Sequence, residues 1–323
     1  MPKKRHKNLR GIFLINLYMI TRIFSKSKPI NFIIVAVFIV LLFAITNYKL
    51  LFNDFNSALN ASIKLLITLF LVFLLDFIIS KNNLTQGNSY AIMTFGLLLG
   101  MFPQAMKYLD LLLTNLFVWF ALRRLVSLHS KLHIKKKLFD AAFWITIATL
   151  FYFWSMLFFA LVIVALIYYS QNEIKNTIIP FIGVAAVIVL LLVYNILVYD
   201  VYIRPSDFQR LASLDYTPYN SKESVIKLTV LFTSFVWILI YFFRTLPDKN
   251  KKLRPSYFLI AWASIIAILA AIIAPVKNGS EFLFLFAPFS IIMANYIKVV
   301  SERWFKEVFV VLLIITPIIT LLL

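Results

Sequence analysis

Acidic side chains are scarce among the residues of this chain that could do chemistry, with 13 Asp and Glu against 32 Lys and Arg in 323 residues. Asp54 stands out because it closely follows the first long apolar run. When residues 51–60 are projected as a helix, the apolar side chains share one face, and Asp54 shares the other with Asn and Ser. We therefore predict a short interfacial helix here. On it Asp54 either acts as a general base toward a hydroxyl group or only hydrates the polar face.

Two further acids lie within or beside apolar runs. Asp76 is inside the second run, where an ionisable group is costly in lipid and usually faces protein or a partner. It could relay protons or contact a substrate, or it could be a paired structural residue. Asp110 begins a later run, where a carboxylate suits the positive N-terminal end of a helix, so we expect a structural role there.

Other residue types argue against a metal or a nucleotide cofactor. His129 and His133 are four residues apart, which can place two ligands on one helical face, but Lys and Arg surround them. The chain has 3 His, 6 Gly and no Cys. It contains no P-loop and no Gly-rich dinucleotide motif. We therefore predict no metal site and no cofactor.

Membrane-spanning helices are the elements that must position these residues. Hydrophobic residues make up 62% of the chain, and the mean hydropathy is +0.92. Several apolar runs reach the ~18–20 residues that cross a bilayer as helix, and alternating barrel strands are absent. We predict an all-α polytopic bundle of about eleven helices, within a range of about 10–12. A basic segment over residues 1–29 precedes a single integral-membrane domain over residues 30–323.

The distribution of Lys and Arg predicts the orientation of the bundle, because cytoplasmic loops retain basic residues. The formal net charge is +19, and the basic residues collect in every second gap between apolar runs. This pattern places the N-terminus inside and the C-terminus outside. It also assigns the charge to short loops near anionic lipid rather than to nucleic acid. The predicted spans are residues 30–48, 63–80, 89–105, 109–122, 139–154, 156–169, 178–199, 225–243, 257–274, 282–297 and 307–323.

The apolar stretch over residues 139–169 is too long for one span and short for two. A turn near Trp154 and Ser155 keeps the basic segment at 244–254 on the inside, whereas one continuous helix would move that segment outside. We predict a hairpin of two short helices.

Eight of the 32 Lys and Arg fall in the outside gaps. Because these eight depart from the charge rule, each is either a plain interfacial anchor or a ligand for phosphate or another anion. Arg204 and Arg210, from the largest outside loop, are the first candidates for phosphate binding, with Lys107 beside them. The eight are Lys49, Lys64, Lys107, Arg204, Arg210, Lys222, Lys227 and Lys277.

Four segments resemble an uncharacterised family of multipass bacterial inner-membrane proteins, a domain of unknown function. They are residues 24–32, 81–90, 121–125 and 137–143. The resemblance extends from Met19 to the end of the chain. It implies residence in a bacterial inner membrane, and it makes residues 1–18 an expected extension.

The chain also has an architectural similarity to the C-type glycosyltransferases, which use polyprenyl-phosphate sugars. Those enzymes have an inside N-terminus and a catalytic acid in the first outside loop, and Asp54 is placed like that acid. Residues 281–289 resemble the Arg-Tyr…Pro run of such cores, but Glu281 stands where a basic residue is expected. The paired acids of many members are missing as well.

Three functions follow from these observations. The most specific is an outer-leaflet transferase acting on a lipid-linked sugar or lipid phosphate, with Asp54 as base and Arg204, Arg210 or Lys107 holding the phosphate. The second is a non-enzymatic subunit that assembles with membrane protein partners. The third is a transporter coupled through Asp76, which the nearly uniform apolarity of the other spans disfavours.

The orientation can be tested with a reporter that is active only in the periplasm, fused after Lys249. We expect no activity, because the five basic residues over 244–254 should hold that loop in the cytoplasm. Activity at this position would contradict the predicted hairpin at residues 139–169.

Overall fold

The computed structural model describes residues 21–51, 53–169, 173–203, 212–300 and 302–321. In these ranges the regular structure is helical, and no strand occurs. This confirms the predicted all-α class. The α-helices are α1 Pro29–Leu51, α2 Phe55–Asn82, α3 Tyr90–Met101, α4 Leu109–Val126, α5 Ile134–Phe151, α6 Phe159–Tyr168, α7 Ile174–Tyr199, α8 Lys222–Thr245, α9 Arg254–Ile273, α10 Leu283–Val299 and α11 Arg303–Leu321.

Seven helices in the described part of the chain are long and apolar enough to cross a membrane, judged by length and composition. The helix α3 is shorter than the predicted span over 89–105 because it ends at Met101, where Phe102 leaves the helical conformation. A 3-10 turn, Pro103–Met106, follows with the proline in its first turn. The helices α3 and α6 are therefore each apolar but shorter than the seven long helices.

The helix α10 lies at the centre of the bundle. In its apolar stretch 89% of the residues are buried, the highest value among the seven long helices. It packs against α3, α8 and α9. Aromatic rings fill the space around it, with Phe95 5.4 Å from Trp119 and 6.4 Å from Phe286 between ring centroids. In α7, by contrast, only 17% of the residues in the apolar stretch are buried, so this helix lies at the periphery.

Hydrogen bonds between loops define one end of the bundle, which we call the basic end. Ser27 N donates to Gly87 O at 2.9 Å. Ser256 Oγ donates to Val126 O at 3.0 Å, and Asn295 Nδ2 donates to Leu84 O at 2.8 Å. These contacts bring together the loops and helix ends that hold most of the Lys and Arg among the described residues.

A second set of contacts defines the opposite end. Asn278 Nδ2 donates to the Tyr108 hydroxyl at 2.7 Å. The rings of Phe102 and Phe282 are 5.5 Å apart, and those of Tyr152 and Phe284 are 5.6 Å apart. Three of the gaps that are predicted to lie outside, at residues 106–108, 154–155 and 275–281, therefore lie at this end of the molecule.

Residues 139–169 turn back on themselves. The helix α5 stops where Tyr152 takes an extended conformation, and a 3-10 segment, Phe153–Phe158, leads into α6. After α6, the Tyr169 hydroxyl donates to Val126 O at 3.0 Å, which returns the chain to the basic end. This geometry agrees with the predicted hairpin turning near Trp154 and Ser155.

The segment around Asp54 differs from the predicted short helix over residues 51–60. The helix α1 continues to Leu51, Asp54 is extended, and Phe55 starts α2. Asp54 Oδ2 accepts a hydrogen bond from Ser57 N at 3.3 Å, and Asn53 Nδ2 donates to Oδ1 at 3.1 Å. Asp54 is therefore the N-cap of α2. A capping side chain satisfies the free N–H groups at a helix start. Because the cap at Asp54 starts a new helix at Phe55, the predicted helix over residues 51–60 is interrupted at Asp54.

The cap can be tested by amide hydrogen exchange at Ser57, corrected for intrinsic rates. Asp54→Ala should accelerate exchange, whereas Asp54→Asn should not, because Asn caps about as well as Asp. The hydrogen bonds from Ser57 lower the pKa of Asp54 below its ordinary value of 3.8. The protection of the Ser57 amide is thus complete at a pH above the ordinary pKa of Asp54. It is lost as the pH falls through the lowered pKa of the folded protein. Unchanged exchange in the Ala variant would show that Asp54 does not cap α2.

Candidate functional site

The residues singled out in the sequence do not come together at one place. Asp54 is exposed and caps α2. Asp76 is half-buried within α2, and in the described part of the chain no cation lies within 4.0 Å of its carboxylate. Lys107 follows the 3-10 turn Pro103–Met106, where its N–H donates to Gln104 O at 3.0 Å. Arg204 and Arg210 lie outside the described residues.

A cavity of about 310 Å³ lies at the opposite end and is called the end pocket below. Three segments line it: residues 102–104, 218–228 and 277–279. Phe102 and Tyr219 supply aromatic walls. Six polar side chains also line it: Gln104, Glu223, Ser224, Lys227, Lys277 and Asn278. Such a mixture of aromatic and convergent polar groups is typical of a ligand site.

The helix α8 starts beside the end pocket with a capped first turn. Ser221 is the N-cap of α8, and its Oγ accepts from Ser224 N at 3.2 Å. Glu223 and Lys227 are one turn apart and form an ion pair across the pocket side of the helix. This spacing is a favourable one for opposite charges on a helix.

Lys277 is the second cation of the end pocket, and it is held by the end of α9. It is 4% exposed, and its Nζ donates to Ala271 O at 2.8 Å and to Ile272 O at 2.5 Å. The carbonyl groups at a helix C-terminus lack partners and carry negative partial charge, so an ammonium group suits this position. Burial lowers the pKa of Lys277. The Tyr216 ring covers Nζ at 5.1 Å.

Gly279 shapes the turn between Lys277 and α10. Its φ is +91°, in the left-handed region that favours glycine, and an added Cβ would meet the Phe102 ring at 2.7 Å. The Phe102 ring, which forms an aromatic wall of the end pocket, therefore packs directly against the turn at Gly279. A larger residue here would displace that wall.

Glu281 lies directly behind this turn. It is 2% exposed, and its Oε2 accepts from Asn278 N at the long distance of 3.4 Å. Its Oε1 is buried without a hydrogen-bond partner among the described residues. Asn278 therefore links the wall of the end pocket to a buried carboxyl group. A buried ionisable group in a membrane bundle is a natural candidate for function.

Sequence reasoning identified part of this set. Lys227 and Lys277 were among the eight outside cations, but neither was preferred to Arg204, Arg210 or Lys107. Gln104 has no signal in the sequence, because a single amide in a loop carries no pattern of its own. Glu281 offered the clearest signal, since it stands at the start of an apolar helix.

His129 and His133 lie at the basic end, away from the end pocket. His129 Nδ1 is 2.9 Å from Val126 O. His133 lines a surface cavity beside Lys135, Lys136 and Glu173. Among the described residues, no group of three or more His, Asp or Glu is close enough to hold a metal ion.

Comparison with known proteins gives a family without an assigned activity. No curated protein and no solved structure matches the chain. A model of a family of unknown function, DUF6427, matches residues 19–322, which is nearly the whole sequence. The chain therefore belongs to the DUF6427 family.

Proposed function

We propose that the protein acts at the outer leaflet of a bacterial inner membrane as a transferase-like protein on a lipid-linked sugar or lipid phosphate. The end pocket would hold the polar headgroup. The observation that supports this is the convergence of six polar side chains, from three separate segments, on one cavity of an apolar bundle. A bundle that only fills the membrane has no need for such a cavity, whereas headgroup binding requires one.

The location of the end pocket suits an outer-leaflet substrate. It lies at the end away from the basic loops, and loops rich in Lys and Arg stay in the cytoplasm. Apolar surface also adjoins it, since Val276 is 55% exposed and Tyr108 is 42% exposed. A lipid could place its headgroup in the pocket while its chain stays along this surface.

The polar groups divide into two kinds. Lys227 and Lys277 are suited to a phosphate, because ammonium groups donate strong charge-assisted hydrogen bonds to phosphate oxygens. Gln104 and Asn278 are suited to sugar hydroxyls, and the Tyr219 ring offers a face for a sugar ring. Together these groups match a sugar attached through phosphate.

Additional phosphate ligands could come from the loop that precedes the pocket. Ser213 N donates to Ile273 O at 3.3 Å, so the chain that follows Arg204 and Arg210 is anchored beside Lys277. Arg204, Arg210 and Lys107 therefore stay our candidates for holding the phosphate. They would act with the two lysines that line the cavity.

Two carboxylates are candidates for the general base. Asp54 lies between α1 and α2, where the glycosyltransferase similarity implies the catalytic acid, but its Oδ2 caps α2 and its Oδ1 accepts from Asn53 Nδ2. Glu281 is buried next to Asn278, which lines the end pocket, and one of its oxygens is free among the described residues. Proton transfer requires a carboxylate within hydrogen-bond reach of the reacting hydroxyl. Neither carboxylate lines the end pocket, so both stay candidates.

Binding can be measured with the full chain purified in detergent, using polyprenyl phosphate and uncharged polyprenol as probes. We expect the phosphate to bind more tightly than the alcohol. Lys227→Gln should weaken phosphate binding about 10- to 100-fold, since one charge-assisted hydrogen bond contributes ~1.5–3 kcal/mol. Glu223→Gln should strengthen it, because a carboxylate that competes for Lys227 and repels the phosphate is removed.

Lys222→Gln provides the matched control, because Lys222 is exposed on the same helix and does not line the pocket. This variant should bind like the wild type. If polyprenol binds as tightly as its phosphate, or if Glu223→Gln weakens binding, the end pocket is not an anion site.

The transferase activity itself can be tested by deleting the gene in the bacterium that carries it and profiling lipid-linked sugars and surface glycans. We expect the deletion to alter them and the wild-type gene to restore them. Glu281→Gln should fail to restore them if Glu281 is the base, whereas Asp54→Asn should fail if Asp54 is. Unchanged glycans in the deletion strain would contradict the transferase proposal.

A further inference from the structure

A second cavity, far from the end pocket, lies at the basic end where the chain enters α1. Its volume is about 350 Å³, and Arg22, Ser25, Lys26 and Lys28 contribute to its lining. The segment that carries these cations is held in place by the neighbouring loop. Ser27 N donates to Gly87 O at 2.9 Å, and the N–H of Ser89 donates back to Phe24 O at 2.9 Å.

A side-chain contact adds to this anchoring. Asn31, which is buried in the first turn of α1, donates from Nδ2 to Lys26 O at 2.8 Å. Three hydrogen bonds therefore hold the backbone around Lys26: those of Phe24 O, Lys26 O and Ser27 N. A fixed backbone lowers the ordering cost of binding, because the cations already surround the cavity before a ligand arrives.

The three cations at this cavity have no acidic partner within 4.0 Å among the described residues. Arg22, Lys26 and Lys28 are all exposed. Glu307, from α11, is the acid that contacts this segment, and it accepts a hydrogen bond from Thr21 Oγ1 at 2.5 Å rather than from a cation. The first turn of α1 adds the positive partial charge of a helix start. The cavity thus has an excess of positive charge.

Apolar surface continues directly from the charged cavity along α1. Ile23 and Ile30 are part of the lining and are 44% and 52% exposed. Ile33, Ile34 and Val37 then extend the exposed apolar surface along the same helix. Cations above an apolar strip match the shape of a phospholipid, whose phosphate lies at the membrane surface and whose chains run beside the helix.

We propose that this cavity binds the headgroup of an anionic phospholipid in the leaflet at the basic end. Lys26 and Lys28 donate to the phosphate, Arg22 adds a third contact, and the strip from Ile30 to Val37 lies against an acyl chain. An anionic lipid fits better than a zwitterionic one because, within the described ranges, the three cations that face the cavity are unpaired and no carboxylate lines it. The site is independent of the end pocket and of the activity proposed there.

Native mass spectrometry of the full chain in detergent can test the site, with phosphatidylglycerol and phosphatidylcholine as probes. We expect preferential binding of phosphatidylglycerol. The double variant Lys26→Gln/Lys28→Gln should lower the affinity for phosphatidylglycerol by about 10- to 30-fold, because each basic residue near the surface contributes to anionic lipid binding. Both side chains are exposed, so this variant should keep the elution profile and melting temperature of the wild type.

The matched control is Lys251→Gln/Lys252→Gln, which removes two exposed cations from another loop at the same end. It should keep wild-type affinity for phosphatidylglycerol. An equal loss in the control would show general charge attraction and would overturn the site. Equal binding of phosphatidylcholine would overturn it as well, and displacement of the lipid by inorganic phosphate alone would show an ion site instead.

Discussion

The enclosure of α10 by other helices is the constraint on which the rest of the structure depends. This helix is nearly inaccessible along its length, so its polar neighbours must find partners within the protein. At one end Asn295 donates to Leu84 O and accepts from Lys249 Nζ at 3.0 Å. At the other end the turn before α10 carries Lys277 and Glu281. Both polar regions of the molecule are thus built around the ends of one buried helix.

The cations that line the two cavities are held differently. Lys277 is buried and bonded to the final carbonyl groups of α9, and Lys227 is paired with Glu223. These cations are oriented by neighbours, as expected in a site that recognises a particular headgroup. At the basic end Lys26 and Lys28 project freely from an anchored backbone, which suits contact with lipid. Under the two proposals, the same residue type recognises a headgroup at one end and attaches the protein to lipid at the other.

The broad architecture could be predicted because hydrophobic length and charge distribution act locally along the chain. The turn inside residues 139–169 is an example, since one continuous helix without a turn would have placed the basic loop at 244–254 outside. The short helix expected around Asp54 was not found, because its projection considered only side-chain polarity. The hydrogen bond from Ser57 to Asp54 stabilises a helix start instead, so the polar face of the expected helix is divided at the cap.

The sequence by itself determined the all-helical class, the apolar spans and the separation of a basic end from an opposite end. These follow from transfer free energies that each segment has on its own. Only the tertiary structure decided which polar residues meet, because Gln104, Lys227 and Asn278 are far apart in the chain. Their contact depends on how α3, α8 and α10 pack, and no local pattern encodes that packing. For this reason the tertiary structure places Lys277 in the end pocket and Glu281 behind it, while Asp54 caps a helix.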